Sequence, residues 1–189
     1  MSSESGSTFV RAARSSDAPE LARIQVESWR HELARLVPAD VLEQLTSEAA
    51  VAEWESRWRE AVTNPPTSRH RVFVAVTPAG AAGFASAGPA TDPDKWPATD
   101  GQLLELRVLP TQADAGHASR LLHAVADTLA EDGFRTLSTW ALEADDSYRE
   151  FLAAAGLEPD GARGELDMGK PLVVMRYMSL IGDYGGQQA

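Results

Sequence analysis

The sequence predicts a mixed α/β (α+β) fold: a central, mostly antiparallel sheet with one parallel crossover, flanked by helices. Three observations carry this expectation. The run Leu103–Leu129 reads as strand, tight turn and helix, and Arg135–Leu142 follows as a strand, so the two strands are expected as parallel neighbours joined right-handedly. Arg71–Thr77 and Ala82–Ala87 flank the turn Pro78-Ala79-Gly80 as a hairpin, and a second hairpin is expected near the C-terminus. The N-terminal third carries apolar stripes at helical spacing.

Each element has its own justification. Met1–Thr8 is rich in Ser and Gly and is expected to be disordered. Phe9–Ala13 is a short first strand. Ser16 or Asp17 then caps a helix with Pro19 in its first turn, where Leu21, Ile24 and Ser28 share one side. Pro38 opens a second helical piece through Leu45. Ser47 caps a third, with Val51, Trp54, Trp58 and Ala61 as its stripe and Asn64-Pro65-Pro66 as its stop. Thr91–Asp100 is a loop. In the strand that follows, Leu104, Leu106 and Val108 alternate with Leu103, Glu105 and Arg107, and Pro110 ends it. Ala118, Leu121, Leu122, Val125 and Leu129 form the stripe of the next helix, which Gly133 terminates. Asp145 or Asp146 caps a helix ending at Gly156, with Tyr148, Phe151, Leu152 and Ala155 on one face. Strands near Ala162–Met168 and Leu172–Met178 turn at Gly169-Lys170-Pro171, and Asp183–Ala189 is expected to fray.

Composition narrows the function. The chain has 189 residues, enough for one domain with a real core, expected over 9–178 between a free N-terminus and a tail over 179–189. Its formal charge of −11 argues against nucleic acid as a partner. With no cysteine, disulfides, thiolate metal sites and a cysteine nucleophile are excluded. No apolar run approaches the roughly 20 residues that span a bilayer, and MSSESGST lacks the features of a signal peptide. A cytoplasmic protein without a membrane partner is expected.

The turn Gln112-Ala113-Asp114-Ala115-Gly116-His117-Ala118 carries the main chemical signal. Small residues let a ligand approach the backbone, and the first free N–H groups of the following helix converge on a point that attracts anions. With ELRVLP, GHASRLLHAVADTLAEDGF, LSTWAL, YREFLAAAGLEPDG and the N-terminal VESWRHELARLVPADVLEQL, the chain resembles the GCN5-related N-acetyltransferase superfamily over nearly its whole length.

The resemblance implies that acetyl-CoA is the co-substrate and that no metal is needed. It places the pantetheine arm along Leu106, Arg107 and Val108. It places the pyrophosphate on Ala113, Asp114, Ala115, Gly116, His117 and Ala118, with Asp145 nearby. Aligned through Gly116 and Ala118, Ala113 stands where the family has Gln or Arg, and Asp114 where glycine is common. Asp114 repels a pyrophosphate if it points inward, and is screened if it faces solvent. Arg120 is read either as replacement positive charge or as a solvated helix residue.

Glu105 is the candidate general base, against the alternative of a surface carboxylate, with Glu143, Asp145 and His31 in reserve. Family members often have a tyrosine after the helical phenylalanine. Here Leu152 follows Phe151, and Tyr148 is either the displaced acid or a packing residue. Trp29 and Trp96 fall where the family builds its acceptor pocket. The implied function is acetyl transfer to a primary amine of a small molecule or peptide, by direct attack in a ternary complex; a homodimer is compatible. The changed positions Ala113, Asp114 and Leu152 keep a second reading open, a non-catalytic member that serves as a CoA sensor or interaction module.

Overall fold

Short apolar side chains on neighbouring strands let helices pack closely on both faces of one sheet. The computed structural model describes residues 8–182. Its strands are β1 (Phe9–Ala12), β2 (Arg71–Thr77), β3 (Gly80–Pro89), β4 (Asp100–Val108), β5 (Thr136–Leu142), β6 (Glu158–Asp167) and β7 (Pro171–Leu180). The helices are α1 (Ala18–Glu32), α2 (Ala39–Thr46), α3 (Glu48–Thr63), α4 (His117–Glu131) and α5 (Asp146–Ala154). The strands form one sheet in the order β1-β2-β3-β4-β5-β7-β6. Every neighbouring pair is antiparallel except β4–β5, the expected crossover.

Leu121, Leu122, Val125 and Leu129 of α4 bury against Phe73, Ala85, Leu103 and Leu106 on one face of the sheet, and Leu152 of α5 joins them. On the other face Leu21 and Ile24 of α1 and Trp58 of α3 cover Val74 and Phe84. Removing these side chains from water is the main stabilising term. Buried Gln25 accepts a hydrogen bond from Trp58 Nε1 at 2.6 Å, which satisfies both polar groups. A third cluster, Leu33, Val37 and Leu172, ties the α1–α2 connection to the start of β7.

Three details differ from the sequence expectation. The β3–β4 register pairs Ser86 with Glu105 and then Ala87 with Leu103, leaving Leu104 as a bulge. The alternation therefore breaks: Leu103 is buried with Leu106 in the core, while Leu104 is 43% exposed. The carboxylate of Asp17 does not cap α1, because it accepts from the Arg14 N–H at 2.7 Å and pairs with Arg11. The last two strands are longer than expected, β6 starting at Glu158 and shifting register between Pro159 and Arg163. Ser47 does cap α3, accepting from the Ala50 N–H at 3.2 Å. Apart from Thr8, the expected disorder of the N-terminus lies outside the described residues, as does the fraying of Asp183–Ala189. No helix among the described residues is long and apolar enough to cross a membrane.

Candidate active site

The parallel pair β4–β5 is short. Asp100, Gly101 and Gln102 pair with Thr136, Leu137 and Ser138, and there the ladder ends. One residue further on, the Thr139 hydroxyl reaches the Leu103 carbonyl at 3.0 Å. Beyond that point the strands part. The Leu109 N–H bonds to Ala82 of the β3 side, so by two-residue alternation Leu106 and Val108 turn their main-chain groups to the opposite, open edge. At that edge the Val108 carbonyl accepts from Ser28 Oγ of α1 at 3.1 Å. Bonding on the β3 side brings the strands so close that a Cβ on Gly83 would lie 2.7 Å from the Arg107 carbonyl.

A cleft of about 820 Å³ opens into this gap, within the usual range for small-molecule sites. One wall is the end of α1 and the chain after it, with Arg30, His31, Glu32, Arg35 and Leu36. Leu106 and Val108 form its floor. Pro110, Ala113 and Ala118 line it at the turn, and Asp145, Ser147, Tyr148 and Phe151 form the far wall.

The turn itself coils. Pro110–Ala115 is a 3₁₀ segment in which the Gln112 N–H bonds to the Leu109 carbonyl, so part of its amides are used internally. Gly116 has φ +74° at the start of α4, a conformation that suits glycine. The N–H groups of Gly116, His117, Ala118 and Ser119 have no partner within α4, and the helix dipole adds partial positive charge there. Arg120 folds back over them, donating from Nη1 to the Ala115 carbonyl at 2.9 Å. Asp114 is exposed and does not line the cleft. His117 is 2% exposed, and burial, aided by the charge of Arg120, lowers its pKa, so it stands as a neutral ring.

Charged side chains meet where the strands part. Arg107 lies between two carboxylates, with Nη2 at 2.9 Å from Glu105 Oε2 and Nη1 at 3.4 Å from Glu32 Oε2. Burial alone would lower the Arg107 pKa, but Glu105 and Glu32 outweigh it and raise it. Burial raises the pKa of Glu32; Arg107 opposes that shift, and Asp145 and Glu105 add to it. Tyr148 stacks on Phe151, ring centres 6.0 Å apart, and burial pushes its hydroxyl up to about 12. It is therefore protonated at neutral pH. Asp145 caps α5, accepting from the Tyr148 N–H at 3.0 Å, which fixes where the phenol starts.

Of the residues expected from sequence, Leu106, Val108, Ala113, Ala118, Asp145 and Tyr148 line one cleft. Glu105 stands behind it, against Arg107. The two tryptophans stand apart. Trp29 packs edge-on against Trp54 at 5.1 Å, and Trp96 is 69% exposed on the β3–β4 loop; neither lines the cleft. Of the reserve candidates, His31 lines the cleft, whereas Glu143 pairs with Arg163. Sequence reasoning missed Glu32 and the side chain of Arg107. Their only local signal is a charge in the last turn of an amphipathic helix and a cation on a strand, and neither reveals the pairing.

No family model matches the chain. Over 139 residues it is 30% identical to the uncharacterised N-acetyltransferase YuaI of Bacillus subtilis (strain 168), a match covering 73% of each protein. Among solved structures it is similar to the PaiA N-acetyltransferase of Thermoplasma acidophilum, in complex with coenzyme A, with a TM-score of 0.67 and 16% identity over 89% of this chain and 98% of that one. YncA of Salmonella typhimurium, solved with acetyl-CoA, superposes with a TM-score of 0.64 and 16% identity over 96% and 98% of the two chains. The ribosomal-protein-S18-alanine N-acetyltransferase of Escherichia coli gives 0.65 and 14% over 97% and 99%. At such identities these structures speak for the fold alone. With the bacillary relative beside it, the chain belongs to the GCN5-related N-acetyltransferase superfamily.

Proposed function

We propose that the protein transfers acetyl from acetyl-CoA to a primary amine of a small molecule or peptide. The observation that carries this reading is the continuity of the open β4 edge at Leu106 and Val108 with the unpaired amides at the start of α4. An extended polar arm ending in an anionic diphosphate matches that surface group for group. Leu106 and Val108 would hold the arm through main-chain bonds, and Gly116–Ser119 with Arg120 would hold the diphosphate. Asp114 is exposed and outside the cleft, so its charge is screened. The coenzyme supplies an acetyl thioester.

The chain's own residues do the rest. A carboxylate at the Glu32–Arg107–Glu105 chain takes the proton that the acceptor ammonium must lose before its nitrogen can attack. Tyr148, held protonated, can give a proton to the departing sulfur. The α1 wall, with His31 and Glu32, offers the acceptor a place in the same cleft, so both substrates can be present together and no covalent enzyme intermediate is required.

Purified protein, acetyl-CoA and a panel of primary amines test this, with CoA thiol release and acetylated product as readouts. Product with at least one amine is expected. Binding of acetyl-CoA with no product from small-molecule and peptide amines would instead favour the non-catalytic reading.

A further inference from the structure

We propose, building on the N-acetyltransferase reading, that Glu32 at the end of α1 takes the acceptor's proton, and that Glu105 is a positioning residue acting through Arg107. Two glutamates flank one guanidinium, but only one of them faces the cleft. Glu32 lines the α1 wall, and its side chain is 34% exposed. Glu105 is absent from the lining, and its Oε2 is buried against Arg107 at 2.9 Å. Arg107 is thus more closely engaged by Glu105 than by Glu32, at 3.4 Å. Glu32 presents its carboxylate to the cleft, where an amine can reach it, while Glu105 lies behind Arg107 and off the lining.

The groups facing Glu32 are Arg107 and Glu105 from β4, Asp145 from the β5–α5 connection, Tyr148 from α5 and His31 from its own helix. Arg30 and Arg35 lie on the same wall. Burial together with Asp145 and Glu105 outweighs the opposing pull of Arg107, leaving Glu32 a stronger base than an ordinary glutamate.

The step balances. One proton passes from the acceptor's R–NH3+ to the Glu32 carboxylate, giving R–NH2 and a neutral acid. The nitrogen lone pair forms the C–N bond to the acetyl carbon, and the C–S bond breaks with its electron pair going to sulfur. The sulfur takes a proton from Tyr148 or water to become the thiol. The second proton on nitrogen, lost as the amide forms, replaces the one that Tyr148 or water gave to sulfur, and the proton on Glu32 goes to solvent.

The test compares E32Q, E32D and E105Q across pH with an amine that the wild type acetylates. E32Q is expected to lose about 100-fold or more in kcat and the acidic limb of its pH profile, while keeping its melting-temperature rise with acetyl-CoA. E32D is expected to recover part of kcat and to restore the limb. In E105Q the acidic limb should persist but move to lower pH, because Arg107 then acts on Glu32 alone and a neighbouring negative charge is gone. An E32Q enzyme that keeps its rate and its limb, with both lost in E105Q, would overturn the assignment and return the base to β4. A wild type that acetylates no amine overturns the functional reading itself, and the assignment with it.

Discussion

Tyr148 shows how one side chain gets its chemical state from packing. Stacked on Phe151 and buried, its hydroxyl stays protonated well past neutral pH. Tyr148→Phe is expected to lower kcat only at the low end of the ~10²–10⁴-fold range for acid–base catalysis, since a thiolate of pKa about 8.5 can leave unaided. Steady-state kinetics of the variant check this, with KM for acetyl-CoA little changed. A tyrosine raised in the folded state stabilises fully below its unfolded pKa of about 10 and loses that contribution as pH rises through about 12. Tyr148 was legible in the sequence because it shares a helical face with Phe151. Glu32 was not. Its meaning depends on Arg107, far along the chain, and no local periodicity records that meeting. Trp29 and Trp96 show the reverse: aromatic residues suggest a pocket, but tertiary packing sends one against Trp54 and the other to the surface.

At the level of elements, the start of α4 and the start of α5 set the site. Gly116 at φ +74° leaves room for a Cβ, its nearest neighbour being Arg120 Nη1 at 3.7 Å, so the cost of Gly116→Ala is conformational. That variant is expected to lose about 1–2 kcal/mol of stability and to respond more weakly to acetyl-CoA, as thermal unfolding with and without ligand will show. Asp145→Ala removes the cap of α5 and should cost about 1 kcal/mol, while Asp145→Asn keeps the cap and most of that stability. The strand–turn–helix–strand order was readable because each piece has a strong period and a clear stop. The bulge at Leu104 and the 3₁₀ coiling of Pro110–Ala115 were not, since both arise from pairing with β3 and from how the chain enters α4.

Across the whole molecule, the far side of the sheet is held by Arg176. Only 4% exposed, it binds Asp92, Asp94 and Asp160 and lies over Trp140, pinning the β3–β4 loop to β6 and β7. Arg176→Met is expected to cost about 1–3 kcal/mol, because Asp92 and Asp160 then lose their shared cation and only Lys95, 3.4 Å from Asp160, remains; denaturant unfolding measures it. The pH dependence has a definite sign. Arg176 holds Asp94 down to about 2 through its hydrogen bond, and Asp160 is also lowered, its hydrogen bonds outweighing burial. Carboxylates depressed in the folded state stabilise above their unfolded pKa of about 4 and lose that contribution as pH falls through the folded values. Acid unfolding should therefore set in below pH about 4 and be blunted in Arg176→Met. The two hairpins and the crossover were legible in the sequence, but the β1–β2, β3–β4 and β5–β7 pairings that complete the sheet were not, and this cluster, which joins a loop to two strands, left no pattern either.

On the proposed reading, the gap between β4 and β5, continued by the amides of α4, holds acetyl-CoA. Thermal unfolding with acetyl-CoA tests it most directly. At 100 times its dissociation constant a ligand adds about 2.7 kcal/mol, or roughly 5–10 °C for a chain of this size. A rise of that order is predicted; an unchanged melting temperature at millimolar acetyl-CoA would contradict the account.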